Sequence, residues 1–167
     1  MSKALPQLAT TTKTKLVVFD FDGVFTDNTV WTDQHGNESV RCWRSDGLGL
    51  VKLKNLGIKI YVLSTEENPV VAARCKKLKI PCIPGVNDKK AALLKLMTDQ
   101  GVSSDNTIYV GNDINDVECL TLVDCSIVVA DAYPAALKVA KYRTTKPGGY
   151  GAVREICDWI NNNYGKK

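Results

Sequence analysis

Four consecutive apolar residues, Leu16-Val17-Val18-Phe19, closed at once by Asp20-Phe21-Asp22-Gly23, constrain this chain more than any other stretch. A strand with one wet face alternates apolar and polar side chains, so an unbroken apolar run marks a strand buried on both faces. Such strands belong to parallel sheets covered by helices on either side. Further β-prone runs at 58–63, 80–83, 107–110 and 126–129 alternate with helical segments. Asp46 is placed to cap a helix over 47–55, and Asn68-Pro69 opens one that runs to Leu78. Asp88 caps a third, which carries Ala92, Leu93, Leu96 and Met97 at helical spacing. Others are expected up to Leu122, after Pro134 and from about Gly151. The pattern predicts an α/β fold, a Rossmann-like doubly wound parallel sheet.

The 167 residues suffice for one domain over 15–167, preceded by a threonine-rich stretch, 1–14, that reads as a flexible leader or a linker from an upstream domain. A net charge of +4, with the basic residues scattered, argues against nucleic acid; Lys76, Lys77 and Lys79 read as a solvated helix end. Six cysteines without Cys-x-x-Cys spacing lie in apolar segments, as small core residues of a reducing compartment do. No apolar run has the length of a membrane span and no signal peptide is seen, so the cytoplasm is the expected location.

Open α/β sheets bind ligands at the carboxyl ends of their strands, where Asp20 and Asp22 emerge. Two carboxylates so close repel; a bound cation relieves the repulsion, and oxygen donors favour Mg²⁺. Runs 29–32 and 38–43 flank the turn residues 33–37 and predict a β-hairpin that projects over the aspartates as a flap. His35, the only histidine, falls on that turn as an exposed loop residue. Ser64 ends the next strand, Lys89 stands in the first turn of a helix, and Gly111-Asn112-Asp113-Ile114-Asn115-Asp116 ends a later strand. A nucleophile, an acid/base, a hydroxyl, a cation and a metal cradle form an inventory for phosphoryl transfer.

In this order the residues resemble the haloacid dehalogenase superfamily of phosphatases, from Lys15 to about Asp116. Its motifs are an apolar segment ending in DxDG, a strand-end Ser or Thr, a Lys, and an acidic GDxxxD-type loop. The resemblance implies that Asp20 attacks phosphorus to form an aspartyl phosphate and that Asp22 serves as acid and then base. It implies that Ser64 and Lys89 grip the transferring oxygens. Mg²⁺ would be held by Asp20, the Asp22 backbone carbonyl and the loop Asn112, Asp113 and Asp116. Many relatives have Asp at the position of Asn112, so whether Asn112 or Asp113 is the direct ligand stays open.

Most of that superfamily insert a cap domain, for which the intervals 22–64 and 64–89 leave no room. An open site must be covered by a large substrate or a neighbouring subunit, and the hairpin tryptophans Trp31 and Trp43 point to oligomerisation. Residues 20–27, Arg44-Ser45-Asp46-Gly47-Leu48-Gly49 and the tail 146–155 resemble one tetrameric branch. Its members act on 3-deoxy-D-manno-octulosonate (KDO) 8-phosphate or on nine-carbon, sialic-type acid 9-phosphates. In that branch the glycine-rich tail resembles a segment reaching a neighbouring subunit's active site; an ordinary helix-start turn fits Gly148-Gly149 equally well.

Octulosonate enzymes of the branch usually carry Thr-Gly-Arg where this chain has Ser64-Thr65-Glu66, whereas Glu in the third place marks 9-phosphate enzymes. Glu66 therefore points to the nine-carbon substrate, with the KDO 8-phosphate reading as the alternative. Gly23, Thr65, Glu66 and Arg154 are expected to contact substrate, and Arg74 and Lys77 to meet its carboxylate. Residues 64–71 also resemble phosphatase-like domains fused to, or encoded with, bacterial acylneuraminate cytidylyltransferases. A competing reading is thus a tetramerisation or accessory domain with little catalysis, against which the intact Asp20, Asp22, Ser64 and Lys89 argue. A receiver domain would need its acceptor Asp where Ile83-Pro84-Gly85 stands, and a nucleotide switch would need a P-loop, which is absent.

Overall fold

The computed structural model describes residues 2–5 and 13–165. Its elements are, in order, β1 (Lys3–Ala4), β2 (Leu16–Phe19), the hairpin strands β3 (Trp31–Thr32) and β4 (Glu38–Ser39), α1 (Asp46–Asn55), β5 (Lys59–Leu63), α2 (Pro69–Leu78) and β6 (Cys82–Ile83). There follow α3 (Lys89–Gln100), β7 (Thr107–Gly111), α4 (Val117–Leu122), β8 (Cys125–Val128), α5 (Pro134–Val139), β9 (Tyr142–Arg143) and α6 (Ala152–Asn163). Seven strands form one sheet in the order β1-β9-β8-β7-β2-β5-β6, every neighbouring pair parallel. Helices cover both faces, with α1 packed on α6 and α4 between α3 and α5.

All four residues of β2 are fully buried, as a strand flanked on both edges and both faces must be. Truncating Leu16 to Ala should cost about 2–5 kcal/mol of stability in a urea titration, since little in a close-packed sheet can move to refill the space.

Two of the expected helix caps are present: the side chain of Asn68 accepts from the Val70 N–H at 3.0 Å and that of Asp88 from the Ala91 N–H at 2.9 Å. The third is corrected. Asp46 is the first residue of α1, Ser45 holds the cap position, and Asp46 Oδ1 accepts from the Arg154 N–H at 3.1 Å. The first N–H groups of a helix have no partner within it, so this buried carboxylate is drawn to the start of α6 and pins α6 to α1. Strand 80–83 contracts to Cys82–Ile83, while β1 and β9 were not anticipated. Two-residue strands carry no periodicity and exist only because a neighbouring edge offers them partners. The expectation of a flexible leader falls in large part on residues 6–12, outside the described residues; Lys3–Ala4 pairs with Tyr142–Arg143.

Candidate active site

From β2 the chain moves to β5 and β6 on one side, then crosses to β7 on the other, so the strand order reverses between β2 and its two neighbours. A crevice opens at such a point because the crossovers on either side leave in opposite directions. Phe19 lies in register with Val62 of β5 and Val110 of β7, which brings Asp20, Ser64 and Asn112 out at adjoining strand ends. These three line one cleft of about 320 Å³ together with Asp22, Thr65, Glu66, Asp113 and Asn115. Asn28, Thr29, Val30, Glu38 and Val40 of the hairpin arm form another wall, as a flap would.

The flap is tied at its base. Thr26 and Cys42 form a β-bridge, Arg41 Nη2 lies 2.9 Å from Asp27 Oδ2, and the Arg41 guanidinium sits 4.1 Å above the Tyr150 ring. At its tip end Asn68 Nδ2 donates to Glu38 Oε2 at 3.0 Å, joining the flap to the start of α2.

Lys89 lies beneath the cleft, not on its wall. Its Nζ is 2.8 Å from Asp20 Oδ1 and 2.9 Å from Asp116 Oδ1, and all three side chains are buried. Burial favours the neutral amine, but the two carboxylates outweigh it and hold Lys89 charged. For Asp20, burial and then the Asp116 charge push the carboxyl upward, against the opposing pull of Lys89. Asp20 Oδ1 also accepts from the Phe21 N–H at 2.7 Å, which leaves Oδ2 without a protein donor among the described residues. Asp22 is likewise raised, first by burial and then by Glu66 and Glu38, against a hydrogen bond from Thr26 and the charge of Lys89. A carboxyl shifted that way can carry a proton to a leaving group.

Asp116 is fully buried and spends both oxygens on protein donors. Oδ1 takes Lys89 and the Tyr109 hydroxyl, the latter at 2.7 Å, and Oδ2 takes the N–H groups of Asn112 at 2.8 Å and Asp113 at 3.3 Å. Gly111 is what lets it fold back, since a Cβ there would fall 2.5 Å from the Asp116 carboxyl carbon. Gly23, expected to touch substrate, is absent from the cleft wall and instead accommodates Asn112: its φ is +76°, and a Cβ would lie 2.0 Å from Asn112 Nδ2.

Mg²⁺ fits this donor set on one observation in particular: Asn112 Oδ1 is buried, has no hydrogen-bond partner, and belongs to a residue of the cleft wall. A buried carbonyl oxygen is rarely left unpaired, and a hard cation satisfies it. Among the described residues no three His, Cys, Asp or Glu side chains converge as a metal cluster. The expected donors include a backbone carbonyl and an amide, which carry no charge, so few carboxylates are needed.

The remaining expected substrate residues divide. Thr65 and Glu66 line the cleft, Ser64 Oγ accepts from the Glu66 N–H at 3.1 Å, and Glu66 Oε1 accepts from the Asn68 N–H at 2.8 Å. Arg74, Lys77 and Arg154 are not brought to it. Arg74 donates to the Trp43 carbonyl at 3.2 Å, Lys77 is exposed on α2, and Arg154 Nε pairs with Asp158 at 2.8 Å. Tyr109 was missed as a site residue because it reads as a core strand residue; only its hydroxyl's need for a buried partner hints otherwise.

The chain is similar to known proteins over most of its length. The haloacid dehalogenase-like hydrolase family matches residues 56–156. The 3-deoxy-D-manno-octulosonate 8-phosphate phosphatase KdsC of Escherichia coli K12 is 31% identical over 153 residues, 91% of this chain and 81% of that protein. A solved HAD-family structure from Streptomyces avermitilis superposes with a TM-score of 0.90 at 44% identity, covering 96% of this chain and 91% of the other. The 3-deoxy-D-manno-octulosonate 8-phosphate phosphatase of Moraxella catarrhalis, solved with magnesium, phosphate and KDO, gives 0.89 at 32% identity, covering 92% and 89%.

Proposed function

The chain belongs to the haloacid dehalogenase-like hydrolase family and is a Mg²⁺-dependent phosphatase, and on that premise we propose that it hydrolyses the phosphomonoester of a KDO 8-phosphate-like sugar acid. The observation that carries the proposal is the meeting of Asp20, Asp22, Ser64 and Asn112 in one cleft with Lys89 against Asp20. Asp20 Oδ2 attacks phosphorus as the P–O bond to the sugar breaks, and Asp22 gives its proton to the departing oxygen. Water then attacks the aspartyl phosphate, Asp22 takes its proton, and phosphate leaves with Asp20 restored. Ser64, which lines the cleft, would hold a phosphoryl oxygen, and Lys89, 2.8 Å from Asp20 Oδ1, would hold that carboxylate from below. Asp20, the Asp22 carbonyl and Asn112 or Asp113 would hold Mg²⁺, which when bound offsets the repulsion between carboxylate and phosphate. Asp116 contributes by fixing the backbone of Asn112 and Asp113.

A second reading, a nine-carbon sialic-type acid 9-phosphate, is favoured by Glu66 lining the cleft where octulosonate relatives usually carry Arg. No cationic side chain is on the cleft wall among the described residues, so a cation for the sugar's carboxylate would have to come from another copy or a moved α2. Trp31, 70% exposed beside the exposed Val30, is the flap face we assign to contact with sister copies in a tetramer. We extend the proposal to association with a cytidylyltransferase, on the resemblance of residues 64–71. No helix among the described residues is long and apolar enough to cross a membrane. Six free cysteines suit a reducing compartment, and on that ground we read the location as cytoplasmic.

A panel of sugar phosphates assayed with Mg²⁺ tests both readings: the larger kcat/KM, on the 8-phosphate or the 9-phosphate, decides between them, and no turnover of either overturns the sugar-acid assignment. Glu66→Arg should move the 8-phosphate to 9-phosphate ratio of kcat/KM upward by about tenfold, a charge reversal at a specificity contact. An unchanged ratio removes Glu66 as the selector.

A further inference from the structure

We infer that Thr26 is a positioning residue for Asp22 and that Gly148-Gly149 brace the turn on which Thr26 lies. The inference rests on the reading above, in which Asp22 is the acid and base. Thr26 is fully buried. Its Oγ1 accepts from the Gly23 N–H at 3.0 Å and the Asn28 N–H at 3.2 Å, and lies 3.2 Å from Asp22 Oδ1. A hydroxyl has one hydrogen. With both amide donors pointed at the oxygen, that hydrogen goes to the carboxylate. Asp22 has no other hydrogen bond among the described residues, so this contact alone fixes which way its carboxyl faces.

The turn is held from behind by backbone in contact with backbone. A Cβ on Gly148 would fall 1.9 Å from the Gly23 carbonyl oxygen and 2.9 Å from that of Thr26. Gly149, at φ +68°, would place one 2.4 Å from the Asp27 nitrogen. The Gly149 N–H donates to the Val24 carbonyl at 3.1 Å, and the Gly148 N–H to Asp131 Oδ1 at 2.9 Å. Only glycine permits so close an approach. The tail that resembled a segment reaching a neighbour's site thus lies, within one chain, against its own Asp22 loop.

The test separates positioning of a proton donor from general disturbance by varying the leaving group. A sugar alkoxide needs a proton as it departs, whereas p-nitrophenolate does not. For Thr26→Val, kcat/KM, which reports the steps through departure of the leaving group and not the hydrolysis of the shared aspartyl phosphate, should fall by about 10- to 100-fold on the sugar-acid phosphate that the wild type hydrolyses, and severalfold less on p-nitrophenyl phosphate. Thr26→Ser, which keeps the hydroxyl, should recover most of the loss. Gly148→Ala should reproduce the leaving-group dependence of Thr26→Val, with thermal melting followed in each variant. Equal losses on both substrates, or no recovery in Thr26→Ser, overturn the inference. Asp22→Asn is run beside them. If it discriminates between the substrates while Thr26→Val does not, only the positioning role falls; if it treats both alike, the acid role of Asp22 falls as well.

Discussion

Asp20→Asn is expected to lower kcat by roughly 10³-fold or more on every phosphomonoester while leaving the fold intact. The amide occupies the same volume and still offers an oxygen to the Phe21 N–H and to Lys89, and Lys89 keeps its second partner, Asp116. In the proposed mechanism what disappears is the carboxylate oxygen that attacks phosphorus, and with it the aspartyl phosphate. Turnover assays on freshly purified protein, with melting curves for wild type and variant, check both halves. Residual turnover close to that of the wild type would remove Asp20 as the nucleophile.

Lys89→Met carries the largest expected loss of stability. The substitution keeps the length of the side chain and removes the charge held between Asp20 and Asp116, all of it buried. Breaking a buried ion pair from one side leaves carboxylates in a low dielectric with no countercharge, at a cost of about 3–5 kcal/mol. Surface pairs of this chain such as Lys95–Asp99, 2.8 Å apart but exposed, are worth about 0–1 kcal/mol, and Lys95→Met serves as the control. Urea titrations of the two variants should therefore differ by several kcal/mol. A Lys89→Met loss no larger than the control's would mean that the triad is not the buried network its geometry describes. Activity should be lost as well, since in the proposed mechanism Lys89 holds the oxygen of Asp20 that does not attack.

Much of this site can be read along the chain because each strand end announces itself. An apolar run that stops at a polar residue marks both the strand and the group at its tip, as Phe19-Asp20, Leu63-Ser64 and Gly111-Asn112 do. Asp88 and Lys89 are legible by the same local logic, a cap followed by a first-turn residue. Arg74, Lys77 and Arg154 show the limit. They are charged residues at suggestive positions, but a helix can turn a side chain toward or away from a cleft, and here nearer partners, the Trp43 carbonyl and Asp158, take Arg74 and Arg154. Asp46 illustrates the same limit: its cap was a local expectation, and a contact 108 residues away prevailed.

Order along the chain, with apolar runs interrupted by particular polar residues, was enough to determine the parallel α/β architecture, the phosphoryl-transfer inventory and the family. Local patterns encode burial and strand ends directly. Tertiary structure alone decided that Lys89 stands under Asp20, that Asp116 turns inward to serve the backbone, and that Gly148-Gly149 press on the loop bearing Asp22. Those contacts join residues up to about 125 positions apart, and which groups meet across such distances depends on how the packed layers close around them.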